Sequence, residues 1–91
     1  MSYSILRSSE FKRDYKLLKK RGYSLEKLHH VLVLLASGET LELRYRDHKL
    51  IGNWKGYREC HIAPDWLLIY KVEKNQISLA RTGSHADLFK K

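Results

Sequence analysis

A chain of 91 residues has room for one hydrophobic core, which excludes a second domain. Hydrophobic residues make up 43%, and one proline with five glycines argues against a disordered chain. Eighteen basic against ten acidic side chains leave a formal charge of +8, which points to a polyanionic partner, either nucleic acid or an acidic protein.

The opening residues, MSYSILRSSEF, lack the apolar core of a signal peptide, and no later stretch approaches a membrane span. A soluble, cytoplasmic protein is therefore expected. Tyr3 to Leu6 reads as a first strand. Ser8 or Ser9 is the expected N-cap of a helix from Glu10 to Arg21, where Phe11, Tyr15 and Leu18 recur at helical spacing and Leu17 widens the stripe. Lys12, Arg13, Lys16, Lys19 and Lys20 occupy its other face, and Gly22 stops it. Ser24 is the expected cap of a second helix, with Glu26 in the first turn, where the helix dipole favours an anion. Leu28, Val31, Leu32 and Leu35 form its buried stripe, and Ser37-Gly38 ends it. The two helices should form an antiparallel hairpin, and only the strands downstream can cover their apolar stripes.

Leu41 to Gly56 reads as a connecting segment with turn signals at Gly52-Asn53 and Lys55-Gly56. Tyr57 to Ile62 is a strand closed by the turn Ala63-Pro64-Asp65. Trp66 to Val72, WLLIYKV, is almost unbroken apolar sequence and should be a central strand covered on both faces. A tight connection at Glu73 to Asn75 leads to a strand from Ile77 to Arg81. Thr82-Gly83-Ser84 then turns into a short helix, His85 to Phe89, capped by Ser84. The expected fold is a single α+β domain over residues 1–91. Its order is β-α-α-β-β-β, with the helical hairpin packed on a small, mainly antiparallel sheet and a short C-terminal helix.

Alternation along Tyr57 to Ile62 puts Tyr57, Glu59 and His61 on one face and Arg58, Cys60 and Ile62 on the other. The apolar set belongs under the helices, so His61 should lie on the open face. Asp65 follows at the strand end, Arg81 and His85 are candidates for the same rim, and His48 lies in the segment leading in. Such a set suits metal-free RNA cleavage. A base draws the proton from a ribose 2′-OH, a cation steadies the crowded phosphorane, and an acid protonates the leaving 5′-oxygen. Histidine fits the acid and base roles because its pKa lies near neutrality. Arginine fits the phosphate because its planar fork grips two oxygens. Phe89 or Trp66 could stack on an unpaired base, and Lys55 and Arg58 extend the basic surface toward substrate.

Plainer roles compete for several of these residues. Trp54 and Trp66 suit the core or its edge, Asp65 suits a Pro-Asp turn, and His29-His30 suits surface and packing. Cys60, the single cysteine, excludes an internal disulfide, fits a reducing cytoplasm and reads as inert packing. His48, His61, Asp65 and His85 could ligate zinc, but no HxH, CxxC or HExxH spacing is present, so neither a metal nor another cofactor is expected.

The ordered motifs DHKLIGNWKGYRECHIAPDWLLIYK and RTGSHADLF closely resemble the YafQ-type branch of the RelE/ParE superfamily, toxins of bacterial type II toxin–antitoxin modules. The motif match runs from Asp47 to Phe89, and the helical hairpin matches in pattern. The resemblance implies a RelE-like fold and a ribosome-dependent mRNA endonuclease that needs no metal and leaves a 2′,3′-cyclic phosphate. It also implies an antitoxin that wraps the toxin in a hetero-oligomer and covers the site. The charge suggests that this antitoxin is acidic. By carry-over the functional positions are His48, His61, Asp65, Arg81, His85 and Phe89. His85 is the leading general acid. Asp65 with His61 or His48 supplies base and orientation, with acid and base exchangeable. Arg81 stabilises the phosphate, and Phe89 positions a base or the terminal helix. Lys90 and Lys91 add charge near the site. Two other functions compete. A gyrase-poisoning toxin of the ParE type would need no histidine–aspartate set, and a non-catalytic basic RNA- or ribosome-binding protein would leave message intact.

Overall fold

The computed structural model describes residues 2–89, so Lys90 and Lys91 lie outside the described residues. The chain opens with strand β1 (Ser4–Arg7) and helix α1 (Ser9–Lys20). Of the two candidate caps it is Ser8 that acts, its Oγ accepting the backbone N–H of Phe11 at 2.9 Å. The helix stops at Gly22, whose φ of 81° suits glycine. The N–H of Tyr23 then reaches back to the carbonyl of Leu18 at 3.0 Å. Helix α2 (Leu25–Ala36) follows. Ser24 occupies its N-cap position, but the side chain makes no capping hydrogen bond. Tyr15 and His29 tie the two helices together, hydroxyl to Nε2 at 2.9 Å.

The expected connection between the helices and the sheet holds more structure than its composition suggests. Turns of 3-10 helix at Leu43–Tyr45 and Gly52–Trp54 flank a two-residue strand, β2 (His48–Lys49). The remaining elements are β3 (Arg58–Ala63), β4 (Trp66–Glu73), β5 (Gln76–Gly83) and α3 (His85–Phe89). The sheet order is β1-β5-β4-β3-β2. β1 runs parallel to β5, and every other pairing is antiparallel. β5 extends beyond Arg81 because Thr82 and Gly83 still pair with Leu68 and Leu67.

The central strand is covered on both faces, as its sequence indicates. Leu68 and Tyr70 join Cys60, Leu79 and the helix residues Phe11, Leu18, Leu28 and Val31 on one side. Leu67 and Ile69 pack with Leu88 on the other, where Leu50, Trp54, Tyr57 and Phe89 close over them. Removing these side chains from water, at about 25 cal/mol per Å² of apolar surface, is the main force holding the sheet between its two covers.

Helix α3 is fixed by three contacts. Ser84 Oγ accepts the N–H of Asp87 at 3.1 Å, and Asp87 Oδ2 in turn accepts the N–H of Ser84 at 3.1 Å. The same carboxylate binds Arg21 Nη1 at 2.8 Å. Gly83 permits the close approach, since a Cβ there would lie 3.1 Å from Asp87 Cβ. No helix among the described residues is long and apolar enough to cross a membrane.

Candidate active site

β3 carries Cys60 and Ile62 into the helix-side core and leaves His61 facing the other way. β2 pairs with it so that His48 stands opposite Glu59. α3 starts with His85. The outcome is a row of three imidazoles, with His61 in the middle. Its ring centroid lies 6.5 Å from that of His48 and 5.9 Å from that of His85.

A carboxylate holds each outer ring. Asp65 Oδ1 accepts the backbone N–H of His85 at 3.0 Å and stands 2.5 Å from its ring Nδ1. A carboxylate only accepts, so Nδ1 carries the proton and Nε2 is left for another partner. These two bonds, the ring N–H first and the backbone N–H second, hold the Asp65 carboxyl below the usual range. At the other end His48 Nε2 lies 3.4 Å from the buried carboxylate of Glu59, and its Nδ1 lies 2.8 Å from the carbonyl of Arg46. Both nitrogens of His48 are thereby engaged.

The middle ring differs. His61 Nδ1 is buried without a hydrogen-bond partner. A second ring proton would bury an N–H with nothing to accept it, so the neutral form is favoured. Burial lowers the His61 pKa first, the charges of His85, Arg46 and His48 push the same way, and Glu59 opposes them. In a proton NMR titration the His61 ring is expected to charge below the ordinary value of 6.5, as pH falls. A midpoint at or above that value would contradict this reading of its surroundings.

The segment that presents His48 is clamped from below. Asp47 Oδ1 accepts Arg58 Nε at 2.7 Å, and Oδ2 accepts the hydroxyl of Tyr70. Arg58, expected to meet substrate, is thus tied to Asp47. Arg81 is tied as well. Its Nε and Nη2 grip Asp14 of α1 at 2.7 and 3.1 Å, and that pairing holds the guanidinium firmly protonated.

Trp66 requires a correction as a stacking platform. It is 3% exposed, packs edge-on against Tyr23 at 5.0 Å, and donates Nε1–H to Thr82 Oγ1 at 2.9 Å. No face of the ring is left for a base, and the core role holds instead. Phe89 is half-buried against the Leu67–Ile69–Leu88 cluster, and Lys55 is exposed. Burial raises the Cys60 thiol pKa and keeps the side chain inert. Glu59 and Arg46 complete the site without having been singled out from sequence. Alternation had placed Glu59 on the face of His61, which was a usable signal. Nothing local marks Arg46.

The family model for YafQ, a bacterial toxin of type II toxin–antitoxin systems, matches residues 3–90. The chain belongs to the YafQ toxin family. The mRNA interferase toxin YafQ of Escherichia coli strain K12 is 45% identical over 84 residues, covering 90% of each chain. The E. coli DinJ–YafQ toxin–antitoxin complex contains a chain 41% identical, with a TM-score of 0.90 over 98% of this chain and 99% of that one. A metal-bound toxin from Helicobacter pylori is 42% identical, with a TM-score of 0.89 over 98% and 100% of the two chains. Both structures share the α+β architecture found here. Among the described residues of the present YafQ-family chain, no three histidine, cysteine or carboxylate groups converge as a metal site would need. The spread of the imidazole row, with centroids 6.5 and 5.9 Å apart, accounts for this.

Proposed function

We propose that this chain is an endoribonuclease of the mRNA interferase type, cutting message on the ribosome by acid–base catalysis at the histidine row. The observation that carries the reading is the unequal state of the three rings. His48 has both nitrogens engaged, His61 is held neutral, and His85 is oriented by Asp65 with Nε2 open. We assign the acid to His85 as the imidazolium, its Nδ1–H held by Asp65 and its Nε2–H free to be given up, and the base to His61 as a neutral ring.

His61, as the Nδ1–H tautomer, takes the proton of a ribose 2′-OH on its Nε2, and the 2′-oxygen attacks the adjacent phosphorus. The bond from phosphorus to the 5′-oxygen breaks as His85 delivers its proton to that oxygen. The products are a 2′,3′-cyclic phosphate and a 5′-hydroxyl, with no net change in water or redox state. Arg81 stabilises the charged phosphate once its grip on Asp14 is exchanged for substrate oxygens. Phe89 and Lys55 contact the strand at the margin. The E. coli relative is an mRNA interferase toxin and is found in complex with DinJ, which supports both the activity and an antitoxin partner for this chain. The charge of +8 suits an acidic antitoxin in a toxin–antitoxin hetero-oligomer, and RNA and ribosome in the cytoplasm.

The test is chemical. Message incubated with the protein and translating ribosomes should yield fragments ending in 2′,3′-cyclic phosphate, with chelator present throughout. A message carrying a 2′-deoxy sugar at the cut position should resist. Cleavage of the deoxy substrate, or fragments with a plain 3′-hydroxyl, would overturn the mechanism.

A further inference from the structure

Several arginines of this molecule are already committed to a partner. Arg58 is bound to Asp47, Arg81 to Asp14, and Arg21 to Asp87. Arg44 donates to Glu42 Oε1 at 3.1 Å and to the Tyr45 hydroxyl at 2.8 Å. Arg46 stands apart. Its side chain is exposed and has no carboxylate or hydrogen-bond partner among the described residues. It lines, with Arg44, Tyr45, His61, Ala63 and Pro64, a hollow of about 330 Å³ beside the histidine row.

Its backbone is held in an uncommon state. Arg46 sits at φ 48° and ψ 44°, the left-handed region, which costs a residue with a Cβ on the order of 1–3 kcal/mol and persists only where neighbours enforce it. The neighbours do so here. The N–H of Arg46 reaches the carbonyl of Leu43 at 3.0 Å, its own carbonyl meets His48 Nδ1 at 2.8 Å, and the next residue is the clamped Asp47. A free guanidinium is thereby presented from a rigid backbone at the flank of His61.

We propose that Arg46 binds a backbone phosphate of the RNA strand in this hollow, the phosphate flanking the one that is cut. The hollow is not lined by His85, so the scissile group, which must lie between the base and the acid, is placed elsewhere. A phosphate bound beside His61 fixes the ribose whose 2′-OH that ring deprotonates. A planar fork with no protein partner suits two phosphate oxygens. The inference rests on the nuclease reading for the strand's path, though the contact itself requires only RNA.

The experiment is direct binding of a short single-stranded RNA fully 2′-O-methylated, which cannot be cut, measured across a salt series. Arg46→Asn removes the charge while asparagine tolerates the left-handed backbone. It should weaken binding roughly tenfold at low salt, the scale of one charge-assisted contact. It should also make the slope of log affinity against log salt shallower by about 0.7, one phosphate on a single strand. Arg46→Lys should restore the slope. On natural message, Arg46→Asn should raise KM. An unchanged slope in Arg46→Asn, no recovery in Arg46→Lys, or no binding by the unaltered protein overturns the proposal. If instead the nuclease reading alone is wrong, natural message stays intact while the salt slopes still separate.

Discussion

His85→Gln should reduce message cleavage by about 10²–10⁴-fold, the range lost with a general acid, while the thermal midpoint stays near that of the unaltered protein. The side chain is 53% exposed and contributes little packing, so folding should not suffer. Its partner gives a graded control. Asp65→Asn keeps the size of the side chain, but its amide N–H groups would face ring Nδ1 and favour the proton on Nε2. The ring then accepts at Nδ1 instead of donating there and loses the carboxylate that favours its charged, proton-donating form, and the rate should fall by less than in His85→Gln. Rates of cyclic-phosphate formation and circular dichroism melts on the same preparations read both quantities. A folded His85→Gln protein that cuts at full rate would move the acid to another residue.

The second large effect is expected away from the imidazole row. Asp47→Ala leaves the Arg58 guanidinium and the Tyr70 hydroxyl without their acceptor beneath the site. The Asp47 side chain is 17% exposed, so water replaces the lost bonds poorly. A loss of about 2 kcal/mol follows for two partners stranded in partial burial. For a domain of this size that is a fall of about 10 °C in the thermal midpoint. Cleavage should also drop at temperatures where the variant remains folded, because the segment presenting Arg46 and His48 loses its anchor. Asp47→Asn keeps one acceptor and should recover part of each loss. An Asp47→Ala protein that melts with the unaltered one would show that the clamp contributes nothing.

What the sequence revealed follows from how local each signal is. Alternation along β3 needs only neighbours, and it correctly set His61 opposite Cys60 and Ile62. The run WLLIYKV announced a central strand because burial on both faces leaves no polar positions. β2 was missed because two residues carry no period, and His48 and Lys49 become a strand only by pairing with Glu59 and Arg58. Arg81 looked free for phosphate because its partner, Asp14, lies 67 residues earlier. Trp66 had both readings open until Tyr23 and Thr82 were seen to close around it. The family motifs named the set of histidines, and only the fold shows that the three rings differ in what each nitrogen meets.

The parallel pairing of β1 with β5, Ser4 beside Gln76, has a bearing on synthesis. The first strand to leave the ribosome finds its neighbour only after almost all of the remaining chain has been translated. Any copy broken off before Gln76 keeps a bare sheet border and never acquires His85, the acid proposed above. Prematurely terminated copies are therefore expected to leave message intact and to be open to proteolysis, and activity is expected only once the last strand and helix are made.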